Sequence, residues 1–134
     1  MVIKWKEEFS VGVKEFDDHH QKLLSVINSL ELVESGDKES NHSVVSILKE
    51  LYEYSKYHFA EEEKALEARA YADLAKQKAE HAEFSKQINE YSNLFLADSE
   101  PQVSDVVAFL SNWMLNHILE EDRKYGSVFK EKMH

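Results

Sequence analysis

From Phe16 to Phe129 the apolar residues recur at alternating steps of three and four, a period that fits helices and little else. Four stretches carry it. The first runs Phe16, position 20, Leu23, Ile27, Leu30, and the second Leu48, Leu51, Ser55, positions 58 and 62, Leu66. The third runs Leu74, positions 77 and 81, Phe84, Ile88, Tyr91, Phe95. The fourth carries Val103, Val106, Leu110, Trp113 and position 117, then drifts toward Ile118, Tyr125 and Phe129. Three glycines and one proline are too few to turn an all-β chain of 134 residues. Breaks between the stripes are short. Ser35-Gly36-Asp37 offers a glycine stop, Ser40 or Asn41 an N-cap, and Asp98-Ser99-Glu100-Pro101 a cap and a helix-starting proline. The reading is a single all-α domain over 1–134, an up-down-up-down four-helix bundle. Its helices are expected at about 17–34, 42–67, 72–97 and 101–131, after an N-terminal arm at 1–15 whose Trp5, Phe9 and Val11 pack across the bundle.

Composition narrows the partners. A net charge of −10 argues against nucleic acid and against an anionic membrane surface. The longest apolar run, Val106 to Leu110, is far below the ~20 residues that span a bilayer. The first residues hold no apolar signal segment, so a cytoplasmic protein is expected. With no cysteine, any metal must be held by nitrogen and oxygen.

The stripes are interrupted by groups that are costly to bury. His20 sits in the first, His58 and Glu62 in the second, Gln77 and His81 in the third, and His117 in the fourth with Asp122 close by. A lone histidine on an apolar face is most often a hydrogen-bonded core residue. These agree in height, however. His20, Gln77 and His81 lie near the starts of the first and third helices, where the second and fourth finish with His58, Glu62, His117 and Asp122. Four imidazoles, an amide and two carboxylates in one layer bury much charge unless cations sit between them. Imidazole with carboxylate suits iron, manganese or zinc. Spacing of i to i+4 stacks His58 with Glu62 and Gln77 with His81, but Asp122 is five residues from His117, about 140° round an ideal helix. Glu121 is the easier partner by spacing, and spacing alone does not choose between them. Around the layer, Asp17 can cap the first helix or hold a ligand imidazole. His19 is read as facing a neighbour or solvent, Glu61, Glu63, Glu120 and Glu121 as a solvated rim, and Tyr125 as core or a redox bystander.

Trp5, Ser10-Val11-Gly12-Val13 and Phe16-Asp17-Asp18-His19-His20-Gln21-Lys22-Leu23 resemble the opening of the hemerythrins, especially the single-domain bacterial ones. His58-Phe59-Ala60-Glu61-Glu62-Glu63 resembles their His-Phe-x-x-Glu-Glu, and Tyr71 to Phe84 their third-helix segment. Trp113 to Asp122 is similar to their closing Trp-Leu-x-x-His-Ile-x-x-x-Asp. The resemblance implies two non-haem iron ions that bind O2 reversibly in the diferrous state, as a peroxide-level adduct on one iron. His20 and His58 would hold that iron and His81 and His117 the other. Glu62 and Asp122 would bridge the pair, with an oxygen-atom bridge from solvent.

The departure is Gln77, where the family has the first histidine of a His-x-x-x-His pair. Its amide oxygen is a neutral, weaker donor than imidazole. Three outcomes are open: Gln77 ligates, water takes the place, or that iron binds loosely. The expected function is O2 binding as carrier, store or sensor, with altered reversibility, by a protein that is a monomer because the bundle can bury its own core. A low-activity di-iron enzyme acting on peroxide or nitric oxide is the alternative, and a metal-free helical interaction module the third reading.

Overall fold

The structure is a computed structural model that describes residues 3–33, 38–97 and 102–131, with backbone alone at 38–40, 130 and 131. Four rods form the bundle: α1 (Lys14–Ser29), α2 (Lys38–Ala68), α3 (Leu74–Leu96) and a fourth rod in three parts. These parts are α4 (Val103–His117), a π turn (Ile118–Asp122) and α5 (Arg123–Glu131). Among the described residues there is no strand. Each rod packs on the next, and the fourth closes on α1. The fold is the all-α four-helix bundle that the stripes require.

The stripe residues fill the interior. Leu23, Ile27, Leu30, Leu48, Leu51, Leu66, Phe84, Ile88, Val106 and Leu110 are fully buried, each worth about 1.5–3 kcal/mol relative to an exposed position. This apolar core reaches the polar layer, with Leu23, Leu66 and Phe84 about one turn from it along their helices, and holds the rods at fixed heights. The α2–α3 corner is set by Ala70, which takes a left-handed φ of 51°. Tyr71 N–H donates to the Leu66 carbonyl and Ala70 N–H to that of Glu67, the Schellman pattern that ends a helix and reverses the chain. The changed phase of the stripe between Arg69 and Asp73 is this corner.

Several ends differ in detail from expectation. α1 starts at Lys14, two residues after Gly12, whose φ of 82° lets the arm turn into the helix through the N-cap Val13. Asp17 neither caps α1 nor touches an imidazole. It accepts from the Ser10 hydroxyl at 2.6 Å and the Val11 N–H at 2.8 Å, tying the arm to the helix. α2 is already helical at Lys38, so Ser40 and Asn41 lie within it rather than at its N-cap. The glycine stop at Ser35-Gly36-Asp37 and the Asp98–Pro101 segment lie outside the described residues.

The arm is pinned at both ends. Ile3 and Asn28 exchange two hydrogen bonds, at 2.8 and 3.2 Å, and Trp5 meets Phe9 edge-on. Val11 crosses α5 at Gly126, where an added Cβ would lie 2.4 Å from the Val11 carbonyl oxygen. A backbone atom cannot step aside cheaply. Gly126→Ala is therefore expected to destabilise the protein by about 2–3 kcal/mol, read as a lower urea midpoint with unchanged slope. An unchanged midpoint would show that the arm does not press on α5.

Candidate metal centre

The layer is built by helical spacing on three rods and by a broken helix on the fourth. His20 projects inward from α1, His58 and Glu62 one turn apart from α2, and Gln77 and His81 one turn apart from α3. On the fourth rod, His117 ends α4 and Asp122 ends the π turn. The wider π turn closes its hydrogen bonds over five residues rather than four, which brings positions 117 and 122 toward one face. His117 Nε2 and Asp122 Oδ1 lie 3.1 Å apart. Glu121 points elsewhere, to Lys76 Nζ at 2.7 Å and Lys124 Nζ at 3.6 Å.

All seven residues singled out from the stripes come together, each at most 3% exposed. The four histidines present Nε2 to the centre. His20 Nε2 lies 3.4 Å from Glu62 Oε2 and 3.2 Å from Asp122 Oδ2. His58 Nε2 lies 3.2 Å, and His81 Nε2 3.4 Å, from Glu62 Oε1. His81 and His117 bring their Nε2 atoms to 3.1 Å. Two groups of donors result, Glu62–His81–His117–Asp122 and His20–His58–Glu62, each with its donor atoms within 4.8 Å of one another and with Glu62 common to both.

The donors fit first-row metal ions. A metal–ligand bond of about 2.1 Å sets neighbouring donors about 3.0 Å apart at right angles and about 3.4 Å apart at tetrahedral angles. The separations above fall at or near those values. Among the described residues, His20 Nε2, His58 Nε2, Glu62 Oε1, Gln77 Oε1 and Asp122 Oδ2 are buried without a hydrogen-bond partner, and buried polar atoms are rarely left so. Gln77 turns its amide nitrogen to Asp122 Oδ1 at 2.9 Å.

Protons partly neutralise the layer in the metal-free protein. Burial pulls the His20 imidazole down, but the Asp122 and Glu62 carboxylates outweigh it and push it up to about 9. Burial also opposes charge on His117, and Asp122 and Glu80 likewise raise it to about 9. Burial holds His58 below its ordinary value. Against burial, the imidazoles around Glu62 and Asp122 hold both carboxyls below the usual range. The two raised imidazoles stabilise the fold fully below pH 6.5, and that contribution is lost as pH rises to about 9. The metal-free protein is thus expected to lose on the order of 5–10 °C in Tm over that interval. A flat profile in a chelator-treated sample would contradict the paired layer.

Outside the ring of donors, three imidazoles are held from behind by the neighbouring rod. His58 Nδ1 meets His19 Nδ1 of α1 at 2.8 Å. His81 Nδ1 meets Glu63 Oε2 of α2, and His117 Nδ1 meets Glu80 Oε1 of α3, both at 2.8 Å. Among the described residues His20 Nδ1 has no partner. Of the flanking residues, His19 faces a neighbour, His58, rather than solvent, while Glu63 and Glu121 stand corrected: the first holds a candidate ligand and the second is buried rather than solvated. Glu80 was not singled out at all. Each of His19, Glu63 and Glu80 is adjacent in sequence to an inward-facing residue, so a turn of about 100° aims it sideways at the next rod. That adjacency is the signal that could have found Glu80. Tyr125 is core and more: its hydroxyl donates to Glu62 Oε2. Burial and the charges of Glu62 and Asp122 hold that phenol well above its ordinary value. Phe59 stacks on His81 at 3.9 Å and Trp113 on His117 at 4.8 Å, closing the layer with apolar faces. Glu120 and His42 are exposed, and His134 lies outside the described residues.

A helical bundle that gathers imidazoles and carboxylates from all four rods into one buried layer is, as a class, a cation-binding bundle. The family model for the hemerythrin HHE cation binding domain matches residues 11–128. The chain belongs to the hemerythrin family. It is 32% identical over 124 residues to a bacteriohemerythrin of Clostridium acetobutylicum, covering 90% of this chain and 96% of the relative. A hemerythrin-like protein of Naegleria gruberi is 31% identical over 92% of this chain and 91% of its own length. Among solved structures, a wild-type hemerythrin superposes with a TM-score of 0.85 at 28% identity, covering 96% of this chain and 98% of that one.

Proposed function

We propose that this protein holds two iron ions in its polar layer and binds O2 there, the Gln77 side being the less completely ligated. The observation that carries the reading is the pair of buried donor groups that share Glu62, with unpartnered atoms facing inward. His20 and His58 would hold one ion, His81 and His117 the other, with Glu62 and Asp122 reaching both. Iron so held would supply the electrons and the open coordination position that O2 binding requires.

The chain's own part is to position and to exclude. Tyr125 fixes the Glu62 carboxylate through its hydroxyl. Leu23, Ile118, Phe59 and Phe16 are buried beside the layer and shut water out of it. Gln77 is spent on Asp122 through its amide nitrogen. That placement leaves Gln77 Oε1 unpartnered among the described residues, and as a neutral amide oxygen it is a weak donor, so its side keeps the more exchangeable position.

Anaerobic loading with Fe(II), metal analysis, then cycles of O2 addition and removal test the reading. Two irons per chain and a spectrum that returns on deoxygenation support it. Two irons with consumption of O2 or peroxide instead favour the enzyme reading, and no bound iron leaves only a helical interaction module.

A further inference from the structure

The two halves of the layer are backed differently. On the Gln77 side both imidazoles have a carboxylate behind them, Glu63 on His81 and Glu80 on His117, each at 2.8 Å. On the opposite side His58 is backed by the imidazole of His19, and His20 by nothing. A carboxylate on the outer N–H fixes an imidazole's tautomer and orientation and makes it a stronger donor, which a second imidazole does far less.

We propose that Glu63 and Glu80 are positioning residues that strengthen His81 and His117, so that the Gln77 side takes the first metal ion although it lacks a third imidazole. The proposal rests on the two-ion reading above. Its physical content is an exchange: the donor strength lost with one imidazole returns through two carboxylates that touch no metal themselves. Both carboxylates are only about three-quarters buried, at 26% and 27% exposure, so they can be altered without hollowing the core. Lys76 does not cancel them. It lies 4.0 Å from Glu80 and is bonded at 2.7 Å to Glu121. On the opposite side, His19 backs His58 and also packs on Phe16, Tyr54 and Tyr57.

Anaerobic titration of the metal-free full chain with Co(II), followed by absorption and calorimetry, reads both affinities. The wild-type chain is expected to fill in two resolved steps. In the double variant Glu63→Gln, Glu80→Gln, the tighter step should weaken by about 10–100-fold while the weaker step holds. His19→Asn should do the reverse, weakening only the second step. Circular dichroism and the urea midpoint check that each variant is folded, and the single variants Glu63→Gln and Glu80→Gln stand in if the double variant is not. An unchanged tighter step, or loss confined to the weaker one, overturns the assignment of Glu63 and Glu80. A wild-type chain that binds fewer than two Co(II) ions overturns the two-ion reading instead, before any variant is compared.

Discussion

Replacing Glu62 with glutamine is expected to empty both metal positions at once, with Fe(II) and Co(II) affinity falling on the order of 1,000-fold at each. Among the described residues Glu62 is the side chain common to both donor groups, and Asp122 also approaches His20. Its Oε1 faces His58 and His81, which belong to opposite halves of the layer, and its Oε2 faces His20. Glutamine preserves the shape but removes the charge that offsets two cations in a dry interior. The comparison variant is His58→Ala, which takes a donor from one half only and should leave about one ion per chain. Metal content after dialysis separates the two. One ion retained by Glu62→Gln would mean that the halves are independent sites, and the shared-carboxylate geometry would then be irrelevant to binding. The same variant also changes the metal-free protein: the carboxylate that helps raise His20 is gone, so part of the stability lost between pH 6.5 and about 9 should already be missing at pH 6.

The bundle was legible because burial leaves a period in the sequence. Leu23, Ile27 and Leu30, or Phe84 and Ile88, are spaced by a rule that any inward-facing helical residue must obey. The layer was legible for the same reason in reverse, since His20, His58 and Gln77 hold apolar positions with polar groups. What the period cannot carry is a change in the helix itself. The π turn at Ile118–Asp122 moves Asp122 to the face where an ideal helix would place Glu121, and nothing in the apolar spacing marks it. Only the motif resemblance favoured Asp122. Glu63 was misjudged, and His19 left open between a neighbour and solvent, because a charged or polar residue beside a stripe looks like surface when each helix is read alone. Their partners, His81 and His58, are on the next rod, and contacts between rods are decided by register and rotation that one sequence does not display. Gln77 illustrates the same limit. Its presence was plain, but the direction of its amide, with the nitrogen on Asp122, is a property of the assembled layer.

That direction makes Gln77→His the most informative change to the function. Histidine at position 77 stands one turn before His81 on the same face, so its imidazole enters the layer where the amide now lies. The Gln77–Asp122 hydrogen bond is lost, and the metal-free variant should be less stable by about 1–2 kcal/mol, the value of a bond to a charged carboxylate. With iron bound the sign reverses, because a fifth imidazole closes the exchangeable position and adds a donor. The O2-loaded variant is then expected to autoxidise about 10-fold more slowly than the natural chain, timed by absorbance in samples shown to hold two irons each. Opposite shifts in the two states distinguish a ligand from a packing effect, since a better-filled core would stabilise both. If autoxidation does not slow while both proteins carry two irons, Gln77 has no part in reversibility. Its amide then serves only to hold Asp122, and the reactive position must be sought on the His20 side, where an imidazole with no partner behind it is the least restrained donor of the four.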